Sequence, residues 1–588
     1  MFFFSPAPDV KSGQPYSATS VAGYGNGVSP PLSAWVLLAL IACAWLLPGI
    51  FGHGPWKQDE TYSFGIIHHM LVSGDYLVPT NAGEPFMEKP PLYYWTALLF
   101  AKALYPLLDY HDGARVASVF YNIVTLVFVA KIAMMVWNKR TLFSLPVLGT
   151  LALFAGSPGM LKHAHDMFTD VALVCGSAIA TYGLLAIAMN AQGKTPRLTA
   201  AVWFGVGVGI AEMSKGLFVP LIFAATTVCM GVLVRECRSR SYWKMVGIAV
   251  LVSLPFFVVW PALLAQHSMP LFMEWFWDNN VGRFFGFSVA KLGSDNDHAV
   301  ILRALFGFAL PGSILAVLAL TAGEWRQIPT PHLALPLSFS IISIIVLESS
   351  ATARQLYLLP VLLPLIMIGT RVVPHLPGWL HTAWDWFSRI SFGLIAAVIW
   401  ATYIISSMPV EYHHWIAYFG RWLPLGFVTP FQPLAVAAAS AMTAGWIWSL
   451  GKIRLTGKWR GVFGWFAGIT LMWGLAYTLL LPWGDYAKSY EYVYNDLDEK
   501  ISSTWASSDC MASRNLGESE SPMLYYYTGI LHRPIDNINK TQCNWVILQT
   551  PGVAPLPAGN WTLFWQGRRD GDEDQLLKVY RRNGATSG

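Results

Sequence analysis

Apolar runs such as Ser33 to Ile50, Leu142 to Leu161, Val246 to Leu264 and Phe392 to Met408 recur along most of this chain, separated by short polar breaks. A helix needs roughly 20 apolar residues to cross about 30 Å of hydrocarbon, because every backbone N–H and C=O must find its partner inside the segment. The pattern predicts thirteen such helices, near 33–50, 114–137, 142–161, 169–190, 199–215, 217–234, 245–264, 299–320, 333–349, 355–371, 390–408, 431–450 and 462–482. Pro and Gly interrupt several of them, and those read as candidates for broken helices. After Trp483 charges become frequent and apolar runs shorten. Trp545–Gln549, Trp561–Gln566 and Leu576–Arg581 read as strands, and Ser521-Pro522 ahead of Met523 to Tyr527 reads as a short capped helix with Pro in its first turn. The predicted architecture is an all-α polytopic membrane bundle over 33–483 followed by a small α/β domain over 484–588. The Ser-, Pro- and Gly-rich residues 1–32 hold one basic residue, Lys11, and read as a disordered tail before an uncleaved span rather than a signal peptide.

Composition agrees with the pattern. At 588 residues, 54% hydrophobic and 12% charged, with a mean hydropathy of +0.45, the chain lacks the charge to cover a soluble surface of its size. The net charge of +5 is spread among loops, which argues against a nucleic-acid partner or a basic anchor. With the N-terminus in the cytoplasm, the inner loops collect Lys139, Arg140, Lys194, Arg197, Arg235, Arg238, Arg240, Lys244, Lys452, Arg454, Lys458 and Arg460, as the positive-inside rule demands. The 51–92 loop, the 158–168 turn, the 265–298 loop, the 349–355 turn and the tail after Trp483 then lie outside. In an oxidising exterior, Cys510 and Cys543 suit a disulfide, with two buried thiols as the alternative.

Polar chemistry concentrates in the first of these outer loops. Asp59 and Glu60 precede Tyr62 to Leu71, whose helical spacing suggests a helix along the membrane surface that holds Asp59 near the headgroups. Asp59 as a simple helix cap is the competing reading. His68 and His69, being adjacent, point to different helix faces and read as an interfacial pair rather than a metal site. Glu88-Lys89-Pro90-Pro91 carries an acid and a base on a backbone stiffened by two prolines, so both are presented rigidly. Lys89 suits a phosphate, and Glu88 suits a hydroxyl or a metal.

Asp59-Glu60, Ser73-Gly74-Asp75-Tyr76-Leu77-Val78-Pro79 and Gly83 to Trp95 together resemble the first periplasmic loop of the bacterial GT-C glycosyltransferases, nearest to the lipid A aminoarabinose transferases and their relatives in the protein-mannosyltransferase superfamily. The match is dense over 56–96, weaker to about residue 370 and faint in the tail. The resemblance implies a multi-span inner-membrane enzyme whose outer cavity moves a sugar from a polyprenyl (undecaprenyl) phosphate to an outer-leaflet acceptor such as lipid A, without a nucleotide sugar. It implies a catalytic role for Asp59 and, as the second aspartate, Asp170 ahead of Asp166. Asp166 and Asp170 are four apart on one helix face and call for a cationic partner. The resemblance assigns phosphate or substrate contacts to Lys89, Arg283, Arg354 and Tyr357, and to Lys215 in the Met213-Ser214-Lys215-Gly216 turn, for which snorkelling is an equal alternative. An interfacial-belt role competes at Arg354 and Tyr357. His163 and His165 read as interfacial polar residues. Glu88 is the implied metal ligand, but Asn280 stands where the transferases carry a histidine. An amide oxygen is a poor zinc ligand beside imidazole, so the sequence argues against zinc and leaves a harder divalent ion or none. His267 and His298 lie in the same loop as substitutes. Protein O-mannosylation is the nearest alternative within the enzyme class. A lipid-linked sugar flippase or transporter is the rival outside it, disfavoured because Glu212, Lys215 and Glu348 fall near span ends rather than the bilayer midplane.

Overall fold

The computed structural model describes residues 30–191, 198–289, 299–421, 423–550, 560–572 and 575–583. A helix overlies each of the thirteen expected segments, from Leu32–Leu46 to Arg460–Leu479. Among the described residues, however, only seven runs are long and apolar enough to cross a membrane by themselves, with Pro433–Leu479 counted as one, or eight when a bent pair is taken as a single span. The other segments are shorter or less apolar, so helix length alone does not carry the count of thirteen crossings.

Of the segments interrupted by Pro and Gly, the one expected over 299–320 is a broken helix. Val300–Phe308 and Gly312–Thr321 meet at 98°. Pro311 sits at the corner, where its ring and missing N–H prevent the helix from continuing. Pro433–Ile453 and Arg460–Leu479 form the two arms of a hairpin that turns at Gly457, whose φ of +60° favours glycine. The centre of the bundle is Thr169–Met189, apolar around nearly its whole circumference and buried along almost all of its length, as a helix enclosed by others must be. By contrast Arg240–His267 and Gly378–Ser406 leave large apolar side chains such as Leu251, Val259, Leu394 and Val398 exposed on their outer faces, where lipid rather than protein would cover them.

The 51–92 loop is more ordered than its polar sequence suggests. It holds the helix Asp59–Ser73 and the hairpin β1 (Thr80–Asn81) and β2 (Glu84–Pro85), and the helix Leu92–Leu104, which sequence periodicity did not reveal, follows directly after Pro90-Pro91. The helix Asp59–Ser73 packs against Glu520–Thr528 of the tail. His68, read as interfacial, instead lies among rings there, with centroids 5.1 Å from both Tyr525 and Tyr526.

The tail folds as a five-stranded sheet, β3 (Met511–Arg514), β4 (His532–Pro534), β5 (Trp545–Thr550), β6 (Trp561–Gly567) and β7 (Leu576–Arg582), in the order β4-β3-β5-β7-β6. The three longer strands match the expected runs and pair antiparallel, while β3 lies parallel to β4 and β5. β3 and β4 are too short for a two-residue alternation to show in sequence. Cys510 and Cys543 are joined by a disulfide with an S–S distance of 2.03 Å.

Candidate active site

A cavity of about 470 Å³ is lined by residues from several of these loops and the helices next to them. Asp59, Glu88, Lys89, Asp170, Lys215, Arg283, Arg354 and Tyr357 all line it, so these eight candidates from distant parts of the sequence reach the same space. Asp166, the alternative to Asp170, does not line it.

The first loop supplies the acidic and basic floor. The helix begins at Asp59 with Gln58 in the cap position, so Asp59 is not the cap. Its Oδ1 accepts a hydrogen bond from the Tyr62 hydroxyl, one turn on, at 2.8 Å. Burial, then the nearby Asp59 charge, pushes the Tyr62 phenol well above its usual range, which keeps it a donor to the carboxylate. Lys89 Nζ in turn donates to the Tyr62 oxygen at 2.5 Å and lies 4.6 Å from the ring centre. Asp59, Tyr62 and Lys89 therefore form one hydrogen-bonded chain along the cavity wall, in which Tyr62 was not foreseen although its three-residue spacing from Asp59 was legible.

Pro90-Pro91 hold Glu88 and Lys89 so that the two side chains diverge. Glu88 Oε1 accepts from Arg283 Nη2 at 2.5 Å. Burial pushes the Glu88 carboxyl up, but the Arg283 hydrogen bond and the charges of Lys89 and Arg283 outweigh it and hold Glu88 below the usual carboxylate range. Arg283 is delivered by a widened, π-helical turn, Glu274–Gly282, a form often found at functional sites. In that turn the Asn280 amide donates to Trp275 O at 2.8 Å, and its Oδ1 accepts the Leu217 N–H at 3.2 Å. Gly216, at φ +76°, leaves the room for this contact, since an added Cβ would sit 2.1 Å from Asn280 Oδ1. Asn280 is thus a brace between two segments, and Glu88 is engaged by arginine. Among the described residues no three His, Cys, Asp or Glu side chains gather closely enough to hold a metal ion. His267 is exposed at the end of its helix and does not line the cavity, and His298 lies outside the described residues.

Asp170 is buried and paired with Lys215, which rules out a free snorkelling lysine; the helix starts only at Thr169, so Asp166 lies ahead of it and does not share the helix face expected for the two aspartates. The Lys215 ammonium also lies 4.0 Å from the centre of the Tyr357 ring. Asp166 turns away and pairs with His163 Nδ1 at 3.0 Å. His163 and His165 are not interfacial: both are buried, and His165 Nε2 contacts Trp45 O at 2.7 Å.

Three further groups escaped sequence reasoning. Glu60 points away from the cavity into fully buried Arg115, with Oε1 3.0 Å from Nε and Oε2 3.2 Å from Nη2, and it accepts the Trp56 and Met167 N–H groups. Burial alone would raise the Glu60 carboxyl, yet Arg115 and His53 lower it to about 2. Arg115 also binds His53 O, Gly54 O and Asp112, so it pins the loop that presents Asp59. An arginine three residues after an aspartate at the head of an apolar helix was the available signal. Asp485 accepts the Gly54 N–H at 3.0 Å and the Trp56 indole at 2.8 Å, which fastens the start of the tail to the same loop. Glu518, from the tail, lines the cavity itself, and burial and Glu88 together raise its carboxyl.

Below this polar end the lining becomes apolar, with Leu217, Phe218, Leu221, Ile222, Ile342 and Val346 forming a strip between two helices. The arrangement can hold an anion among Lys89, Arg283 and Arg354, and a hydrocarbon chain along the strip.

No family model matches the sequence. The chain is 26% identical over 426 residues to the undecaprenyl phosphate-alpha-4-amino-4-deoxy-L-arabinose arabinosyl transferase of Yersinia enterocolitica, covering 68% of this chain and 72% of that protein. It is 26% identical over 433 residues to a transferase of the same description from Pseudomonas fluorescens, covering 70% and 68%. The crystal structure of ArnT from Cupriavidus metallidurans in the apo state superposes with a TM-score of 0.66 at 16% identity, over 93% of this chain and 98% of that one, and the undecaprenyl phosphate-bound form gives 0.65. The chain is thus similar in sequence to the aminoarabinose transferases along most of its length and shares the fold of ArnT.

Proposed function

We propose that this protein transfers a sugar from a polyprenyl phosphate carrier to a phosphorylated glycolipid of the lipid A type at the outer leaflet of the bacterial inner membrane. The observation that carries the reading is the cavity: polar and charged residues from several separate segments face one space that also has an apolar lining. A polyprenyl phosphate needs both halves, cations for the head and hydrocarbon for the chain. The positive-inside bias supports an exterior opening, and the tail after Trp483 then forms an outer domain that closes over the site through Glu518.

In the reaction an acceptor oxygen attacks the anomeric carbon, the bond from that carbon to the carrier phosphate breaks, and its electrons pass to the phosphate oxygen. Lys89, Arg283 and Arg354 stabilise the charge that develops there, in a partly dry space where their field is strong. Arg283 offers a planar fork suited to two phosphate oxygens, and Glu88 orients it. Tyr357 and Lys215, held by Asp170, contact the same head. With a phosphate acceptor no base is required and Asp59 positions the reactants, whereas with a hydroxyl acceptor Asp59 takes the proton.

The test is reconstitution of the purified protein in vesicles with a polyprenyl phosphate-linked amino sugar and a lipid A acceptor, reading glycosylated product by mass spectrometry. Product formation without a nucleotide sugar is the expected result. Movement of the intact donor across the bilayer with no product would overturn the reading in favour of a flippase.

A further inference from the structure

Among the described residues that line the cavity, Glu518 is the one contributed by the tail. It stands in the turn between β3 and the helix Glu520–Thr528, and the backbone on both sides of it is held. The Gly517 N–H donates to Gln549 Oε1 at 3.2 Å, and Ser519 and Glu520 are buried. The Asn81 amide, from the hairpin that leads into Glu88 and Lys89, donates to Glu518 O at 3.1 Å. The helix that follows packs on Asp59–Ser73 so closely that a Cβ added to Gly65 would sit 2.2 Å from Pro522 Cβ. Glu518 is therefore placed against the first loop by contacts of its neighbours and its own main chain, which leaves its side chain with no structural task.

The other acids of the cavity are engaged. Glu88 is paired with Arg283, Asp170 with Lys215, and Asp59 accepts from Tyr62. The Glu518 carboxylate is exposed and makes no hydrogen bond or ion pair among the described residues. Burial, then the Glu88 charge, raises it, while Arg283, Lys89 and Arg354 act in the opposite sense, so it shares the part of the cavity assigned to the carrier phosphate. A carboxylate only accepts hydrogen bonds, so a phosphate is not its ligand. The group joined directly to that phosphate is the sugar, and a sugar presents O–H or N–H donors around its ring. A charged acceptor held in place beside such a ring favours the sugar that fills it and rejects one that lacks the matching donor.

We propose that Glu518 is a specificity-determining residue whose carboxylate accepts a hydrogen bond from a hydroxyl or ammonium group of the sugar on the carrier phosphate. This rests on the sugar-transfer reading above and gives the tail a part in choosing the sugar.

The test uses the full-length protein in vesicles with polyprenyl phosphate-linked sugars in matched pairs, one intact and one with a single hydroxyl or amine replaced by hydrogen. For the pair that differs at the recognised group, native kcat/KM for the donor falls about 10–100-fold on its removal, the scale of one hydrogen bond to a charged group. Glu518→Ala lowers kcat/KM for the intact donor by the same factor and treats that pair alike. Glu518→Gln keeps part of the preference when the group is a hydroxyl, and falls as far as Glu518→Ala when it is an ammonium. The acceptor KM and the inhibition by sugar-free polyprenyl phosphate stay native in both variants, which separates a sugar contact from a phosphate contact. Native kcat/KM in Glu518→Ala, an equal loss on both members of every pair, weaker inhibition by polyprenyl phosphate, or a change confined to the acceptor KM overturns the proposal. If the native protein transfers no sugar at all, the reading of the cavity has failed, and equilibrium binding then decides Glu518 by itself. A native preference for sugar-linked over sugar-free polyprenyl phosphate that Glu518→Ala lacks supports the contact, and the same preference in both proteins removes it.

Discussion

Asp59 and Glu60 are consecutive carboxylates in the first turn of one helix, and they serve opposite ends. Asp59 lines the cavity and has one hydrogen bond, from Tyr62. Glu60 is buried and receives four, two from Arg115 and two from backbone N–H groups. A carboxylate whose acceptor capacity is filled by the protein has none to offer a substrate, and one that keeps capacity open toward a cavity does. Two neighbours in sequence are thus separated by the direction in which the helix turns them, about 100° apart.

The largest effect that would test this contrast is on catalysis. Asp59→Asn keeps the shape and the Tyr62 contact but removes the charge, and we expect transfer to fall about 10²–10⁴-fold, the usual contribution of a positioned acid or base, with the thermal midpoint unchanged. A variant with native activity would remove Asp59 from the mechanism. The next effect is on stability. Arg115→Met strands Glu60 and Asp112 without their cation, and leaving a buried charge unpaired costs about 3–5 kcal/mol. The expected readout is a lowered thermal midpoint and poor recovery of folded protein, and a fully stable Arg115→Met protein would show that the network holds nothing in place.

The same network has a pH signature. The Glu60 carboxyl is lowered from 4.5 to about 2 in the fold, so its contribution to stability is complete above pH 4.5 and is lost as the pH falls toward 2. The thermal midpoint of the native protein should drop through that window, and Glu60→Gln should flatten the drop while starting from a lower value.

At the cavity, Arg283→Lys retains charge but gives up the fork that grips Glu88 and, in the proposed complex, phosphate. A hydrogen bond to a charged group is worth about 1.5–3 kcal/mol, so kcat/KM should fall about 10–100-fold, mostly through the donor. Loss confined to the acceptor would move Arg283 out of the carrier site.

What the sequence disclosed divides along the same line. Lys89, Arg283 and Tyr357 were legible because each sits in a compact motif with prolines, glycine or aromatics around it, and such motifs keep their local geometry wherever the chain runs. Arg115, Asp485 and Glu518 were not, since what makes them matter is a hydrogen bond to residue 60, a hydrogen bond to residue 54 and a place in the cavity beside the charge of Glu88, each more than 50 positions away, and nothing in their own surroundings announces the partner. The bundle was legible as apolar length. The right-angled break at Pro311 was not, because a proline in an apolar run is compatible with a kink, a break or an edge.

The smallest effect concerns how the tail reports to the first loop. Lys57, two residues before Asp59, reaches Glu520 at 3.5 Å and Asp572 at 3.7 Å with its side chain 23% exposed. Buried Glu520 also accepts the Tyr490 hydroxyl at 2.5 Å, so it keeps one partner when the lysine is removed. Pairs open to solvent are worth about 0.2–1 kcal/mol, and Lys57→Met should therefore cost the fold about that much. If the pair only glues the tail down, turnover should be native once the protein is folded. If it fixes the backbone that presents Asp59, kcat should fall about tenfold or more, beyond the roughly 5-fold that so small an energy would explain, with both KM values held and Lys57→Arg restoring the rate. That second outcome would make the tail part of the machinery that aims Asp59, and would join the two sides of the first loop that Asp59 and Glu60 keep apart.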